Sequence, residues 1–279
     1  MPGSLQSDGP VMFGDGSTAA RRNAATVVVR ALVVTVGLVA IWQAAILVFQ
    51  PPPFMLPPPS RVFDALVGRP DLWRVHAVAT LTASLIGLVA GGLVGMALAL
   101  AMSFLPITRR LLLPVMVVSQ AIPVFAIAPL LVLWFGFGLA SKIVMTTIAI
   151  FFPVASAYAD GLHRTDPGLL DLARLYRASR WQVVTILRMP GALPSLVTGL
   201  RLAAVYAPVG ALIGEWVGST SGLGYAMLFA NSRAQTDVMF AALLLVIAMS
   251  VALRGLVDLA TANLTPWAPE STSTNDQRE

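Results

Sequence analysis

The segment Asp171-Leu-Ala-Arg-Leu-Tyr-Arg-Ala-Ser-Arg-Trp-Gln-Val-Val-Thr-Ile-Leu-Arg-Met-Pro190 lies between two strongly apolar runs and decides how the rest of the chain is read. Asp166 stands before it as a helix N-cap, with Pro167 at the first helical position, where the missing N–H costs nothing because that donor has no partner in a helix. Leu169, Leu170, Leu172, Ala173, Leu175 and Tyr176 recur at helical spacing, and Arg174 and Arg177 fall off that stripe. Ser179 is a second N-cap, for a short helix Arg180 to Arg188 that carries Trp181, and Pro190-Gly191 predicts its end. Two short helices with a bend between them, apolar on one face and cationic on the other, suit docking to another protein. A basic amphipathic helix lying on anionic lipid fits the same residues.

Composition sets the environment. Of 279 residues 57% are hydrophobic and 11% charged, and the mean hydropathy is +0.81; such a balance belongs to an integral membrane protein. The absence of cysteine excludes a disulfide framework and thiolate chemistry. His76 and His163 stand apart near predicted helix ends, a poor basis for a metal site. A net charge of +5 would suggest nucleic acid in a soluble protein, but here the arginines follow the positive-inside bias and no nucleic acid is expected.

The chain divides into residues 1–22, a disordered tail rich in Gly, Ser, Asp and Ala; 23–75, a first transmembrane helix and external connector; a core over 76–264 containing the loop 160–194; and a polar tail, 265–279. The apolar run Val27 to Phe49 is too long for a signal-peptide core and lacks a small-residue cleavage site, so it predicts a span. Prolines keep Pro51 to Ser60 extended, ahead of a short amphipathic helix near Arg61 to Val67. The second span, His76 to Ser103, carries Ala83, Gly87, Gly91, Gly95, Ala99 and Ser103 four apart, a stripe that lets a neighbouring helix approach closely. Leu111 to Phe135 is a third span broken by Pro114, Pro123 and Pro129, fit either to line a pathway or merely to bend. Gly136 to Gly138 with Lys142 forms an external turn before the fourth span, Ser141 to Ala159. Pro194 to Val217 is the fifth, with Arg201 snorkelling towards its start and Glu215 as a polar contact near its far end, and Val238 to Leu259 is the sixth.

Six spans put both termini on one side of the bilayer. Arg21, Arg22, Arg109, Arg110, Arg164, Arg174, Arg177, Arg180 and Arg188 fall on that side, against Arg61, Arg69, Arg74, Lys142 and Arg233 opposite. The termini and the loop are therefore expected in the cytoplasm.

The loop resembles the Glu-Ala-Ala loop of ABC importer permeases, E-A-A-x3-G-x9-I-x-L-P. Asp171 stands for the Glu, Leu172 for the first Ala, Arg177 for the Gly and Leu187 for the Ile, Met189 stands for the Leu, and Ala173 and Pro190 match outright. Phe-Met-Leu-Pro-Pro-Pro-Ser60, Trp134 to Ile143 and Gly214 to Tyr225 resemble the same family, so the likeness covers about residues 54 to 267, closest to the nitrate, taurine and aliphatic sulfonate branch. Ala207 to Gly218 and Ala230 to Phe240 look like permeases for thiamine-precursor pyrimidines.

The resemblance implies an all-α integral membrane protein with about six transmembrane helices in the type I ABC importer permease fold. It would work as a homodimer in a bacterial inner membrane, with an ABC ATPase subunit and an extracytoplasmic solute-binding protein. Asp171, Leu172, Ala173, Arg177, Ser179, Trp181, Leu187, Met189 and Pro190 would form the ATPase-coupling loop. No G-x-x-x-x-G-K-[ST] loop surrounds Lys142, the only lysine, so ATP and Mg are expected on the partner chain and no cofactor on this one. No hydrolase elbow or zinc-binding helix appears, so an enzyme is not expected. Tyr206, Glu215, Trp216 and Met227 are candidates for lining the solute pathway, with core packing as their other use. An ion-coupled carrier or channel is the alternative; it needs buried ionisable groups, of which the spans offer few beyond Glu215 and Arg201. A purely structural scaffold would leave the broken helix and the cationic loop without a use.

Overall fold

The computed structural model describes residues 16–265, in two compact units, Met1–Ser60 and Arg61–Glu279. The first contains α1, Gly16–Phe49. Helix begins at Gly16, so residues 16–22 of the expected disordered tail are helical; the remainder of that tail, and all of the polar C-terminal tail beyond residue 265, lie outside the described residues. None of the residues of α1 from Leu32 to Phe49 is buried and most are exposed, as suits a helix surrounded by lipid.

The second unit begins with α2, Pro59–Val67, an amphipathic helix that buries Val62 and Ala65. The Trp73 indole N–H donates to the Ala65 carbonyl over 3.0 Å and ties α2 to α3, Pro70–Phe104. The small-residue stripe of α3 is buried along its length. It meets α6, Leu139–His163, so closely that a Cβ added at Gly87 would lie 2.5 Å from the Thr146 Cβ, and one at Gly95 would lie 2.6 Å from the Phe151 carbonyl oxygen. Apolar side chains supply no hydrophobic drive between helices in lipid, so this close packing is what holds the pair. Leu88, Ile150, Val154, Tyr158, Leu162 and Leu196 fill the core that α3 and α6 form with α9, Met189–Gly218.

The third expected span is two helices. Pro106–Ala121, α4, and Val124–Phe135, α5, meet at a 97° bend. Pro123 supplies no N–H, and it forces Ile122 into extended backbone with φ −79° and ψ 119°. Pro114 and Pro129 sit inside the two helices without ending them. Among the described residues five helices are long and apolar enough to cross a membrane, six if the bent pair counts as one span.

After α6 come α7, Pro167–Leu175, and α8, Arg180–Gln182. The helix expected to stop at Pro190 does not stop. A π-helical segment, Val183–Arg188, carries α8 into α9, and helical backbone runs from Arg180 to Gly218 over 39 residues. The wider turn, in which the Met189 N–H reaches the Val184 carbonyl, relieves the clash that a proline causes with the carbonyl four residues back. Then follow α10, Leu223–Ser232, and α11, Thr236–Thr261.

Candidate functional site

At one end of the core unit, α7 and α8 form the ledge that the sequence singled out. The Asp166 carboxylate accepts from the Gly168 N–H over 2.7 Å and starts α7. The turn between the helices is closed by two backbone bonds, Ala178 N–H to the Ala173 carbonyl at 2.9 Å and Arg177 N–H to the Arg174 carbonyl at 3.0 Å. This is a Schellman motif, whose penultimate position calls for left-handed backbone, usually glycine. Arg177 occupies it with φ +51°. The bend is therefore made by the same conformation a glycine would adopt, at the steric cost an L side chain bears there.

Ser179 caps α8 reciprocally: its backbone N–H donates to Gln182 Oε1 over 2.8 Å, and Gln182 N–H donates to the Ser179 hydroxyl over 3.3 Å. The Gln182 half of that box is visible in the sequence as a Ser-x-x-Gln pattern. Trp181 stacks on Phe104 at the end of α3, with ring centroids 5.0 Å apart. Asp171 and Leu172 are exposed, and Asp171 pairs with Arg174 at 2.6 Å. Leu172, Ala173 and Leu187 line an apolar groove of about 290 Å³ with Leu169, Tyr176 and Ile186. Met189 packs against the core, and Pro190 is exposed in the first turn of α9. The ledge thus presents an open apolar groove with charges at its edge, the form of a surface that receives a partner.

At the opposite end, Glu215 lies inside the packing of α3, α6, α9 and α10, only 1% exposed. The Thr80 hydroxyl donates to its Oε1 over 2.8 Å, and the Gly224 N–H donates to its Oε2, also over 2.8 Å. Lys142 is no part of an external turn; it is in α6, 4% exposed, with Nζ donating to the Ser221 carbonyl over 2.8 Å and standing 3.9 Å from Glu215. The Leu223 N–H donates to the Thr80 hydroxyl and the Gly222 N–H donates to His76 Nδ1. A buried ion pair is tolerated when further hydrogen bonds support its members, and here Glu215 accepts from Thr80 and Gly224 while Lys142 donates to Ser221. This cluster locks the turn between α9 and α10 to α3 and α6. One carboxylate and one lysine among apolar spans were the signal for it in the sequence; sequence alone could not say that they meet.

Arg201 does not snorkel free: its Nε pairs with Asp258 of α11 at 2.5 Å, and Arg254 approaches the same carboxylate at 3.4 Å. Of the four pathway candidates, Glu215 faces the interior cluster and Met227 is half-buried in α10. Tyr206 and Trp216 are exposed, and they fall on one stripe of α9 with Thr198, Leu202 and Val209. The other sides of α9 are packed, so this stripe is an uncovered face of the best-buried span. Trp216 meets Phe125 of α5 edge-on at 6.3 Å.

Residues 91–267 match a family described as binding-protein-dependent transport system inner membrane component. The chain is 47% identical to a probable ABC transporter permease protein of Haemophilus influenzae, over 79% of this chain and 90% of the relative. It is 37% identical to the formylaminopyrimidine transport permease protein ThiX of Halalkalibacterium halodurans, over 67% and 75%, and 32% identical to the taurine transport system permease protein TauC of Escherichia coli, over 84% and 87%. Among solved structures, a chain of the MetNI methionine ABC transporter in an inward-facing conformation superposes with a TM-score of 0.62 at 19% identity, covering 71% of this chain and 98% of that one.

Proposed function

The chain belongs to the binding-protein-dependent transport inner membrane component family, and from that premise we propose that it is the multi-pass permease subunit of an ATP-driven importer. Two copies form the solute pathway; a separate ATPase, which holds ATP and Mg, docks on the ledge 160–194, and a solute-binding protein delivers cargo from the other side. The chain itself is a transport subunit and carries no cofactor. Both termini lie in the cytoplasm of a cell whose inner membrane holds the complex. The observation that carries this reading is the unbroken helix from Arg180 to Gly218. At 1.5 Å per residue it is a rod of roughly 58 Å, with the docking groove beside its first turns and the exposed face of Tyr206 and Trp216 farther along it. A shift imposed on the groove by ATPase closure moves that face as a rigid body, which is the bistable element that alternating access requires.

The solute is a small organic molecule such as a thiamine-precursor pyrimidine, or else a taurine-, sulfonate- or nitrate-like anion. The names of two relatives, for formylaminopyrimidine and taurine transport, support the pyrimidine and taurine parts of this range, and aromatic side chains on the α9 face suit a planar ring. Replacing Asp171 by Lys tests the docking. The residue is exposed, so the protein should insert normally, while recovery of the ATPase on gentle extraction and solute uptake should each fall roughly tenfold or more. Uptake at the wild-type level in that variant would remove the ledge from the mechanism.

A further inference from the structure

Behind the docking groove, between the ledge and the end of α3, lies a second pocket of about 390 Å³. Ser103, Arg174, Arg180 and Arg188 line it, with Leu170 and Val183 as its apolar wall. Arg174 is paired with Asp171 at 2.6 Å, and no acidic side chain lines the pocket itself. Arg180 is pinned at the rim by a 3.1 Å bond from Nη1 to the Phe104 carbonyl.

Two polar groups in this pocket have no partner. The Ser103 hydroxyl is buried, its residue 7% exposed, and the Nε of Arg188 is buried too; neither makes a hydrogen bond. Ser103 departs from its neighbours in this respect. Thr82, Ser84, Thr146 and Thr198 all donate to the carbonyl four residues back, the usual resort of a hydroxyl in an apolar helix. A buried donor left unmade is costly, and a guanidinium more so. Groups of this kind are retained where something else accepts from them.

We propose that this pocket holds the phosphate of an anionic phospholipid headgroup. Three arginines and one serine line it, with the Arg188 Nε and the Ser103 hydroxyl unpartnered, and a phosphate oxygen accepts from both kinds of donor. Its position commits it to lipid. It sits at the end of the apolar helix α3, beside the Trp181–Phe104 stack, and aromatic pairs and basic pockets near the ends of membrane spans meet lipid headgroups. The apolar wall of Leu170 and Val183 would border the start of an acyl chain. The site joins ledge to span, so a seated lipid would hold the docking element against the bundle. This inference does not depend on the transport reading, and its test measures binding rather than uptake.

The full chain, purified in mild detergent, is titrated with phosphatidylglycerol, phosphatidylcholine and inorganic phosphate, with bound lipid counted by native mass spectrometry and stability followed by thermal unfolding. One phosphatidylglycerol per chain should bind at least about tenfold more tightly than phosphatidylcholine. Arg188→Gln should weaken it by roughly tenfold or more, and Ser103→Ala by several-fold. Arg109→Gln, a charge loss outside the pocket, should leave binding unchanged. If Arg188→Gln fails to fold, Ser103→Ala decides, because it removes only an unpartnered hydroxyl. Wild-type affinity in Ser103→Ala and Arg188→Gln together would overturn the site. Competition by inorganic phosphate at millimolar concentration, with no preference for lipid, would overturn the assignment to a lipid.

Discussion

Arg177 occupies a backbone position that glycine fills without strain. Its φ of +51° costs an L-residue roughly 1 to 2 kcal/mol, part of which glycine would lose again through greater freedom in the unfolded chain. Arg177→Gly is therefore expected to leave thermal stability unchanged or raised by up to about 1 kcal/mol, with docking and uptake retained. Loss of uptake without loss of stability would show that the guanidinium itself touches the partner. Gly222 is the opposite case. Its φ of +120° is closed to other residues, and a Cβ there would fall onto the Glu215 carboxylate. Gly222→Ala should cost about 3 kcal/mol or more, through backbone strain and a broken buried network, and should lower the unfolding midpoint of the purified protein markedly. An unchanged midpoint would mean that the α9–α10 turn is looser than the hydrogen bonds around Glu215 indicate.

Between elements, the decisive contact is that of α3 on α6. A Cβ at Gly91 would press on the Cγ1 and Cδ1 of Ile150, at 2.5 and 2.9 Å, atoms of a side chain that can rotate. At Gly95 it would press on the Phe151 carbonyl and the Ala155 nitrogen, at 2.6 and 3.0 Å, backbone that cannot yield without moving the helix. Gly95→Ala should thus destabilise more than Gly91→Ala, with costs of roughly 1 to 3 kcal/mol overall; thermal unfolding of the two variants side by side gives the order. A reversed order would mean that helix separation adjusts more easily than the Ile150 side chain. The stripe itself was plain in the sequence, because six small residues four apart define a face whatever lies against it. Its partner helix was not, since small residues fit many surfaces and only the fold supplies Thr146 and Phe151.

For the whole molecule, the exposed stripe of α9 poses the question of what covers it in the membrane. If two copies meet there, cysteine at Tyr206 or Leu202 should form a disulfide between chains under mild oxidation, and the cysteine-free background makes the result unambiguous. Dimer formation in either variant on non-reducing electrophoresis is the expected outcome. No cross-link at either position would place the face against lipid or another subunit.

The sequence by itself determined the membrane class, the apolar spans, the caps at Asp166 and Ser179, the small-residue stripe of α3 and the amphipathic, cationic character of Asp171 to Pro190. These features are local: hydrophobic length, side-chain-to-backbone capping and helical spacing depend on residues close in the chain. Only the tertiary structure decided that Pro123 turns its helix through 97° while Pro190 lies within an unbroken one. A proline's effect depends on whether neighbouring backbone can take up its lost bond, through a π turn or an extended residue, and both were compatible with the sequence. It also decided that Lys142, Glu215, Thr80 and His76, drawn from three helices, form one cluster around a buried carboxylate. Contacts between residues as distant as Thr80 and Glu215 follow from how helices pack, and short-range pattern carries no record of it.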